Sequence, residues 1–489
     1  TEGRFHSKWL NMMYPRLFLA KILLSDNGVV FISIDDNEVS NLRKICDEIF
    51  GEENFIGQII NKSNPRGSQE VYGISTEHEY VLCYAKNEGG FYSIIGRERD
   101  IKDKEFSFET KDGKKARLLG LRKRGGDWRR SHRPNMFYAF YVNPITKRAS
   151  LIKDAKHTEK VLPIRPDGEE SRWTWGKKTS EARINELIAK EIKRGNKIVF
   201  DIYRIDLLED EHGNLKREKL KSVWDEKELN YQHARQYFKS LFGSSEIFDF
   251  PKAPELIRKM LISLDSKDGI ILDFFAGSSS TAHAVIDLNK EDGGNRKFIM
   301  VQLPEICNEN SEAHKAGFKT IADIGKERIR RVIKNIKKEI DQTLFKNNKI
   351  DLGFKVFKLD KSNFKIWDSE KLSLDKKSLE KQLELHIDHI DYKASQDDIL
   401  YEILLKAGFE LTPKIEKIKL AGKAVYSIEG GAMFICLEKV LTKEVIKAMA
   451  EKQPSRVICL DRGFANNDQL KTNAVQIMKS KGVDDFRTV

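Results

Sequence analysis

Helix-like and strand-like spacings of hydrophobic residues alternate along the start of the chain. Apolar side chains recur every three or four residues over 5–24, which predicts a helix, and Pro15 predicts a kink or a break within it. The continuous apolar run VVFISI at Val29–Ile34 is typical of a strand buried in a parallel sheet. A further helix and two further strands are predicted at Glu38–Phe50, Phe55–Asn61 and Tyr80–Ala85. This alternation indicates an α/β domain.

An irregular stretch interrupts the alternation. Residues 91–240 contain short strand-like runs, Gly and Pro turns and several Trp and Tyr residues, so we expect a separate insert there. Trp173 and Trp175 alternate along this stretch, and we expect both side chains to be packed in its interior. The alternative is an exposed pair that stacks on bases. Helices and strands are predicted again beyond the insert, at Glu255–Leu264, Gly269–Phe274, Ser279–Leu288, Lys297–Leu303 and Ile321–Lys338.

The last part of the chain predicts a smaller mixed α/β domain. It contains a predicted helix at Asp397–Ala407, a hairpin around Glu429–Gly431 and a last strand at about Val457–Leu460. The predicted parts of the chain are therefore residues 1–90, 91–240, 241–345 and 346–489.

Length and composition fit a multidomain protein of a reducing compartment. The chain has 489 residues, of which 40% are hydrophobic and 33% are charged, which is enough apolar material for several cores. No run approaches the ~20 apolar residues that span a bilayer. The five cysteines lie far apart and form no C-x-x-C pair, which excludes a disulfide scaffold and a ribbon-type zinc site. We expect no metal site and no membrane contact.

The positive charge is concentrated in the insert. The whole chain has 87 Lys and Arg against 75 Asp and Glu, a net charge of +12. Residues 91–240 contain 36 of these basic and 24 of these acidic residues, so they carry the whole excess. The densest part is LRKRGGDWRRSHRP at Leu121–Pro134, a basic run with an aromatic residue inside it. Such a run is either a solvated loop or a strip that binds the phosphates of nucleic acid.

The most informative motif is IILDFFAGSSSTAHAV at Ile270–Val285. An apolar strand ends at Asp273, a tight turn follows at Ala276–Ser278, and a helix then begins. Gly277 lets a ligand approach the backbone without a Cβ clash, and a helix N-terminus offers N–H groups and a positive dipole. Open α/β sheets bind cofactors at such strand ends. The motif lacks the G-x-G-x-x-G fingerprint and the Walker lysine, so alone it fits a structural turn equally well.

A second motif, FDFPKAPELI at Phe248–Ile257, lies upstream of the first. Together the two resemble motifs X and I of the β-class amino-methyltransferases, which methylate exocyclic amines of DNA bases with S-adenosylmethionine. The resemblance implies a Rossmann-like sheet, and a cofactor pocket whose methionine end is held by Lys252, Gly277 and Ser278. The implied cofactor-binding residues are Phe250, Pro251, Lys252, Asp273, Phe275, Ala276, Gly277, Ser278 and Gln302.

The chain departs from the family's D-P-F-x-G-S-G-T form at two positions. Phe274 replaces the proline and Ser279 replaces the second glycine, so we expect a tighter loop. Gln302 stands roughly where the family usually has an acidic residue that binds the ribose hydroxyls, and Glu305 is the nearest acid.

The resemblance extends along nearly the whole chain. The basic run from Leu121 and RWTWGKK at Arg172–Lys178 resemble the target-recognition region of adenine methyltransferases. The implied DNA-binding residues are Arg122, Lys123, Arg124, Trp128, Arg129, Arg130 and Arg133. Residues 353–367 and 460–489 resemble the C-terminal domain of the modification (Mod) subunits of type III restriction-modification systems. A long basic helix at Ile321–Lys338 could also touch DNA, but a solvated face is the simpler interpretation.

The family's catalytic tetrapeptide, of the D-P-P-Y type, is absent from this sequence because none of its 11 prolines adjoins another. In the family this element precedes the stretch that resembles His6–Glu38. We therefore assign no catalytic residue and expect a subunit truncated upstream of Thr1. The alternative is a degenerate subunit that recognises DNA and assembles with partners without methylating.

The resemblance implies a site-specific DNA methyltransferase that moves a methyl group from S-adenosylmethionine to adenine N6 in duplex DNA. Cytosine N4 is the alternative target, because the β-class arrangement serves both bases. The implied partners are double-stranded DNA, a second copy of the subunit and a helicase–nuclease restriction subunit, in the bacterial cytoplasm. The fragment by itself is expected to be inactive.

Overall fold

The chain folds as a mixed α/β protein of two compact units, Thr1–Leu352 and Gly353–Val489. A computed structural model describes residues 5–67, 73–94, 96–99, 104–195, 197–264, 266–342, 350–364, 390 and 394–489.

The first unit contains helices and strands in alternation, linked by turns and short 3₁₀ segments. Its helices are α1 (Phe5–Leu23), α2 (Val39–Phe50), α3 (Glu88–Ser93), α4 (Lys177–Ala182), α5 (Tyr231–Phe242), α6 (Pro254–Ile262), α7 (Ser280–Asp292), α8 (Glu312–Lys315) and α9 (Ile321–Gln342). Its strands are β1 (Val29–Ile34), β2 (Phe55–Asn61), β3 (Glu79–Ala85), β4 (Arg97–Glu98), β5 (Phe108–Glu109), β6 (Lys115–Gly120), β7 (Phe140–Val142), β8 (Ala149–Ser150), β9 (Glu159–Val161), β10 (Leu187–Arg194), β11 (Lys197–Leu207), β12 (Arg217–Glu218), β13 (Val223–Trp224), β14 (Ile270–Asp273) and β15 (Lys297–Met300).

A four-stranded sheet in the order β1-β3-β2-β13 organises the start of the first unit. The predicted parallel pairing of Val29–Ile34 is wrong, because β1 pairs antiparallel with β3. The most buried strand of this sheet is β3, whose Val81, Leu82 and Tyr84 are inaccessible to solvent. The helix α1 also runs through Pro15 without a break. Its buried side chains pack with α2 and β3 in one core, and this tertiary packing sustains the helix despite the lost hydrogen bond.

The predicted insert forms a small β-rich core. One sheet has the order β10-β11-β6-β5, and a three-stranded sheet has the order β8-β7-β9. The expected packing of Trp173 and Trp175 is confirmed, since both side chains are buried in this core beside Phe140 and Ile202. The strand β13 lies within the predicted insert but joins the first sheet, parallel to β2. The boundaries drawn from sequence at 90 and 240 remain predictions.

The strands β14 and β15 form a parallel pair that is joined through α7. The helices α6 and α7 pack over this pair through Leu261, Val285 and Leu288. Phe274, the residue after β14, packs against the core that α1, α2 and β1 share. This arrangement positions the turn between β14 and α7.

The second unit is built around the sheet β16-β17-β18-β19-β20. Its elements are α10 (Gln396–Lys406), α11 (Lys443–Ala450), α12 (Asp468–Ser480), β16 (Ile415–Leu420), β17 (Lys423–Ile428), β18 (Met433–Cys436), β19 (Arg456–Cys459) and β20 (Asp485–Thr488). The predicted hairpin is confirmed, since β17 and β18 pair antiparallel across Glu429–Gly431. The prediction that Val457–Leu460 is the last strand is wrong, because β20 follows it in parallel.

The sheet of the second unit has a core on each face. The helices α11 and α12 cover one face, where Val445, Met449 and Met478 are buried. The helix α10 covers the other face through Ile399 and Ile403. Across both units, none of the helices in the described residues is long and apolar enough to cross a membrane.

Candidate functional site

The turn between β14 and α7 begins with a carboxylate that ties the strand end to the helix. Asp273 accepts a hydrogen bond from the backbone N–H of Phe275 at 3.1 Å and another from the Thr281 hydroxyl at 2.6 Å. Val301 beyond β15 donates to the Asp273 carbonyl at 2.8 Å. Asp273 therefore shapes the turn through contacts within the protein.

Gly277 lies at the centre of the turn in a left-handed conformation, with φ of +50°. Its N–H donates to Oε1 of Gln302 at 2.7 Å. An added Cβ would find no atom closer than the Phe248 ring at 3.5 Å, so the backbone angle, not crowding, requires glycine here. Ser279 has φ of +60° without being glycine, which makes it a strained position next to the helix start.

A buried arginine holds the far side of the turn. Arg328 on α9 is 0% exposed, and its Nη1 donates to the hydroxyls of Ser278 at 2.9 Å and Ser280 at 2.7 Å. The expectation of a solvated basic face on this helix is therefore wrong for Arg328. Burial lowers the pKa of Arg328 to about 10, so the side chain is still a cation at neutral pH.

His283 extends this contact on the first turns of α7. Nε of Arg328 donates to Nδ1 of His283 at 3.3 Å, which requires Nδ1 to be unprotonated. Nε2 lies 3.0 Å from the Asp287 carboxylate and 3.2 Å from the Tyr237 hydroxyl. Burial lowers the pKa of His283, so the ring is neutral and carries its proton on Nε2.

The second predicted motif meets the turn through a direct hydrogen bond. The Ser280 hydroxyl donates to the carbonyl oxygen of Lys252 at 2.9 Å. The Lys252 ammonium group contacts the Glu79 carboxylate at the start of β3 and lies 3.3 Å from the Tyr231 hydroxyl. Tyr231 donates to the same carboxylate at 2.6 Å, and burial raises its pKa. The Glu79 side chain is only 5% exposed, so Lys252 neutralises a nearly buried carboxylate.

Exposed aromatic rings flank this junction. Phe250 is 68% exposed and packs edge-on against Tyr231, with ring centroids 6.3 Å apart. Phe275 is 51% exposed. Pro251 and Ala276 are buried beneath them. The structure thus brings both halves of the predicted cofactor site together, and leaves two aromatic faces open to a ligand.

Three residues at this junction escaped the sequence analysis: Glu79, Tyr231 and Arg328. The burial of Arg328 was indicated by its position in the helical pattern. Arg328 is spaced four residues from Ile324 and Val332, on the buried stripe of α9. Glu79 and Tyr231 come from distant parts of the chain, and only the fold places them beside Lys252.

The predicted DNA-binding residues differ in their exposure to solvent. The Arg122 guanidinium turns inward, with Nε 3.7 Å from the Asp201 carboxylate, and burial lowers the pKa of Arg122. The structure therefore gives Arg122 an internal contact. Lys123 and Trp128 are half-buried, and the other members are exposed: Arg124, Arg129, Arg130 and Arg133.

An open cleft of about 630 Å³ lies within the exposed group. Its lining residues are Trp128, Arg129, Arg130, Ser131, Pro134, Glu169 and Glu170. The Arg165 guanidinium lies over the Trp128 ring at 4.0 Å, and Arg130 pairs with Glu170 at 2.9 Å. Cationic and aromatic groups therefore meet in one surface depression, a combination suited to phosphates and bases.

Comparison with known proteins decides the family. A family model described as DNA methylase matches residues 2–316. The chain belongs to the DNA methylase family. A methylase transfers a methyl group, so the chain requires a methyl donor and acts on DNA.

Several curated proteins match this methylase over most of its length. The chain is 33% identical to the type III restriction-modification enzyme EcoPI Mod subunit of Escherichia phage P1, over 94% of this chain and 68% of that protein. It is 29% identical to the EcoP15I Mod subunit of Escherichia coli, over 96% and 70%. It is 35% identical to the type II methyltransferase M.KpnI of Klebsiella pneumoniae, over 68% and 75%. The matches to the two Mod subunits necessarily extend into the second unit.

Proposed function

We propose that this methylase is the modification subunit of a type III restriction-modification system, and that it methylates adenine N6 in duplex DNA. One observation supports this most strongly: the two Mod subunits match both units of the chain, not only the part that the DNA methylase model covers. The proposal includes a specific fold, in which the β14–β15 pair and the first sheet (β1-β3-β2-β13) belong to one Rossmann-like sheet. The Phe274 packing that links them supports this fold.

The methyl donor in this proposal is S-adenosylmethionine, and the residues at the turn fit its chemistry. The exposed rings of Phe250 and Phe275 offer surfaces for a planar adenine. Gly277 presents backbone without a side chain, and the Gln302 amide, which accepts from the Gly277 N–H, suits hydroxyl groups. The predicted set at Pro251, Lys252, Asp273, Ala276 and Ser278 forms the frame around them.

The donor, when bound, supplies an electrophilic methyl group on a sulfonium ion. The protein contributes binding, orientation and exclusion of water. An adenine within a duplex must rotate out of the stack before its N6 can reach that methyl group. Hydrogen-bond acceptors must then draw the amine towards tetrahedral geometry, and the predicted acceptors belong to the tetrapeptide that this sequence lacks. We therefore assign binding and positioning roles to this chain, and no catalytic residue.

The basic cleft of the insert is the proposed contact with double-stranded DNA. Arg129, Arg130 and the aromatic Trp128 line this cleft together with Glu169 and Glu170. Arg124 and Arg133 are exposed on the same basic run. The second unit is the proposed site of assembly, with a second copy of the subunit and with a restriction subunit, in the bacterial cytoplasm. The five free and buried cysteines are compatible with that reducing compartment.

The identity of the methylated base tests the proposal. The open reading frame that encodes this sequence is expressed in bacteria that lack other DNA methyltransferases. Their DNA is then digested to nucleosides for mass spectrometry. We expect N6-methyldeoxyadenosine, and its loss in a matched strain that carries Gly277→Val. N4-methyldeoxycytidine would instead identify cytosine as the target, and the absence of both would contradict methyl transfer and leave DNA recognition alone.

A further inference from the structure

Arg328 is a cation buried without an anionic partner in direct contact. Its hydrogen bonds reach only neutral groups: the hydroxyls of Ser278 and Ser280 and the ring of His283. Within the described residues no carboxylate lies at ion-pair distance, and Nη2 has no hydrogen-bond partner. A buried unpaired charge is costly, and proteins keep one chiefly where a ligand or partner completes it.

The nearest carboxylates of the described residues, Asp287 and Glu255, form no ion pair with Arg328. The Asp287 carboxylate lies 3.0 Å from Nε2 of His283. One oxygen of Glu255 lies 3.7 Å from His233, and its other oxygen is buried without a hydrogen-bond partner in the described part of the chain. Both carboxylates act on Arg328 only at longer range. The direct hydrogen bonds of Arg328 go to the cofactor turn and to His283.

The two hydroxyl groups that accept from Arg328 differ in whether they donate a hydrogen bond of their own. Ser280 accepts a hydrogen bond from Arg328 and donates one to the Lys252 carbonyl. Ser278 also accepts from Arg328, but among the described residues no protein acceptor takes its proton. A hydroxyl that accepts from a cation becomes a stronger donor. Ser278, next to Gly277, is therefore a polarised hydroxyl that can donate a hydrogen bond to a ligand.

We propose that Arg328 is a positioning residue that recognises the carboxylate of the donor's amino-acid end through Ser278. This inference rests on the proposed function, since it names the part of S-adenosylmethionine that the turn distinguishes. Arg328 holds the Ser278 hydroxyl oriented, and its charge complements the anion. The adenosine part of the donor lies outside the reach of this contact.

Recognition of the carboxylate can be distinguished from a purely structural role of Arg328 by comparing two ligands that differ in the amino-acid end. S-adenosylhomocysteine carries the carboxylate, whereas 5′-methylthioadenosine lacks the whole amino-acid group. Isothermal titration calorimetry on the full chain would compare their affinities in the unmodified protein and in Arg328→Lys, Arg328→Met and Ser278→Ala. A hydrogen bond to a charged group is worth about tenfold or more in affinity.

The variants should lose affinity selectively. In Arg328→Met and Ser278→Ala we expect S-adenosylhomocysteine to bind about tenfold more weakly or worse, with the affinity for 5′-methylthioadenosine nearly unchanged. Arg328→Lys keeps the charge but not both hydrogen bonds. Its affinity for S-adenosylhomocysteine should lie between that of the unmodified protein and that of Arg328→Met. Ser278→Ala removes only one hydroxyl, so it keeps the test decisive if the Arg328 variants fold poorly.

Arg296 provides the matched control. It is also a buried arginine, but it pairs with Asp292 at 2.8 Å at the other end of α7. Arg296→Lys should lower the melting temperature and leave the ratio of the two affinities unchanged. Equal losses for both ligands in the Arg328 and Ser278 variants, or no loss for either, would overturn the inference. If the unmodified chain binds neither ligand, the proposed function fails instead.

Discussion

The residue that most constrains the cofactor turn is Gly277. Gly277 and Gly293 lie at the two ends of α7, and both have positive φ, +50° and +68°. An alanine at either position costs about 1 kcal/mol of stability, because an L side chain disfavours that backbone region. Gly277→Ala should also weaken S-adenosylmethionine binding, whereas Gly293→Ala should not. Thermal melts and binding titrations of both variants check this, and equal effects on binding would contradict the site.

The arginines of the insert should differ in whether they contribute to DNA binding or to stability. Arg129 and Arg133 are exposed, whereas Arg122 contacts the buried Asp201. Arg129→Gln and Arg133→Gln should each reduce the slope of DNA affinity against salt concentration by about one. Arg122→Gln should lower the melting temperature and keep the slope. Fluorescence-anisotropy titrations at several salt concentrations measure these slopes. A strip that does not bind DNA would show unchanged slopes in all three variants.

At the scale of elements, the packing of α7 against α9 should depend on pH. Burial, together with the neighbouring Arg328 cation, lowers the pKa of His283, and its Nδ1 already accepts a hydrogen bond from Arg328. The unfolded chain binds that proton below a pH of about 6.5. The contribution of His283 is therefore intact above that pH and decreases as the pH falls towards the folded-state pKa.

A variant isolates this effect from the other titrating groups. In His283→Asn the side-chain oxygen can accept from Arg328 but does not titrate. The loss of unfolding free energy between pH 7 and pH 5 should therefore be smaller in His283→Asn than in the unmodified protein. Urea denaturation at a series of pH values measures the difference, and parallel pH curves would contradict the assignment.

The contact between Lys252 and Glu79 joins the start of β3 to the second motif. Lys252→Met leaves a nearly buried carboxylate without its cation, so it should destabilise the first unit by about 2 kcal/mol. Glu79→Gln in the same chain should recover part of that loss, because the uncompensated charge is gone. A double-mutant cycle in urea gives the coupling, and strictly additive losses would show that the pair is not coupled.

The local pattern of apolar and polar residues predicted most helices and strands, but not which elements lie next to each other in the fold. The turn at Gly277 was predictable because a strand, a glycine and a serine-rich helix start follow one another in sequence. The antiparallel pairing of β1 was not, since an apolar run shows that a strand is buried but not which strand lies beside it. Lys252 and Glu79 are far apart in sequence, so their contact follows from the folded chain alone. Arg328 was misjudged because basic side chains are usually solvated, although its helical spacing placed it among Ile324 and Val332.

At the scale of the whole molecule, each unit has its own hydrophobic core. We expect a fragment of residues 353–489 to unfold in a single cooperative thermal transition, since its sheet is covered on both faces. A fragment of residues 1–352 should keep S-adenosylmethionine binding with the affinity of the full chain. Calorimetry and titration of the two fragments check this. Loss of binding in the first fragment would show that the cofactor site needs the second unit.

The turn at Ala276–Ser280 is the proposed methyl-donor site, and the roles of the residues around it depend on that assignment. Ultraviolet crosslinking of radiolabelled S-adenosylmethionine, followed by mapping of the labelled peptide, tests this most directly. We predict one label per chain, competed by S-adenosylhomocysteine, in a peptide that contains Phe248–Lys252, Asp273–Ser280 or Gln302. A competed label confined to residues 91–240 or 353–489 would contradict the assignment.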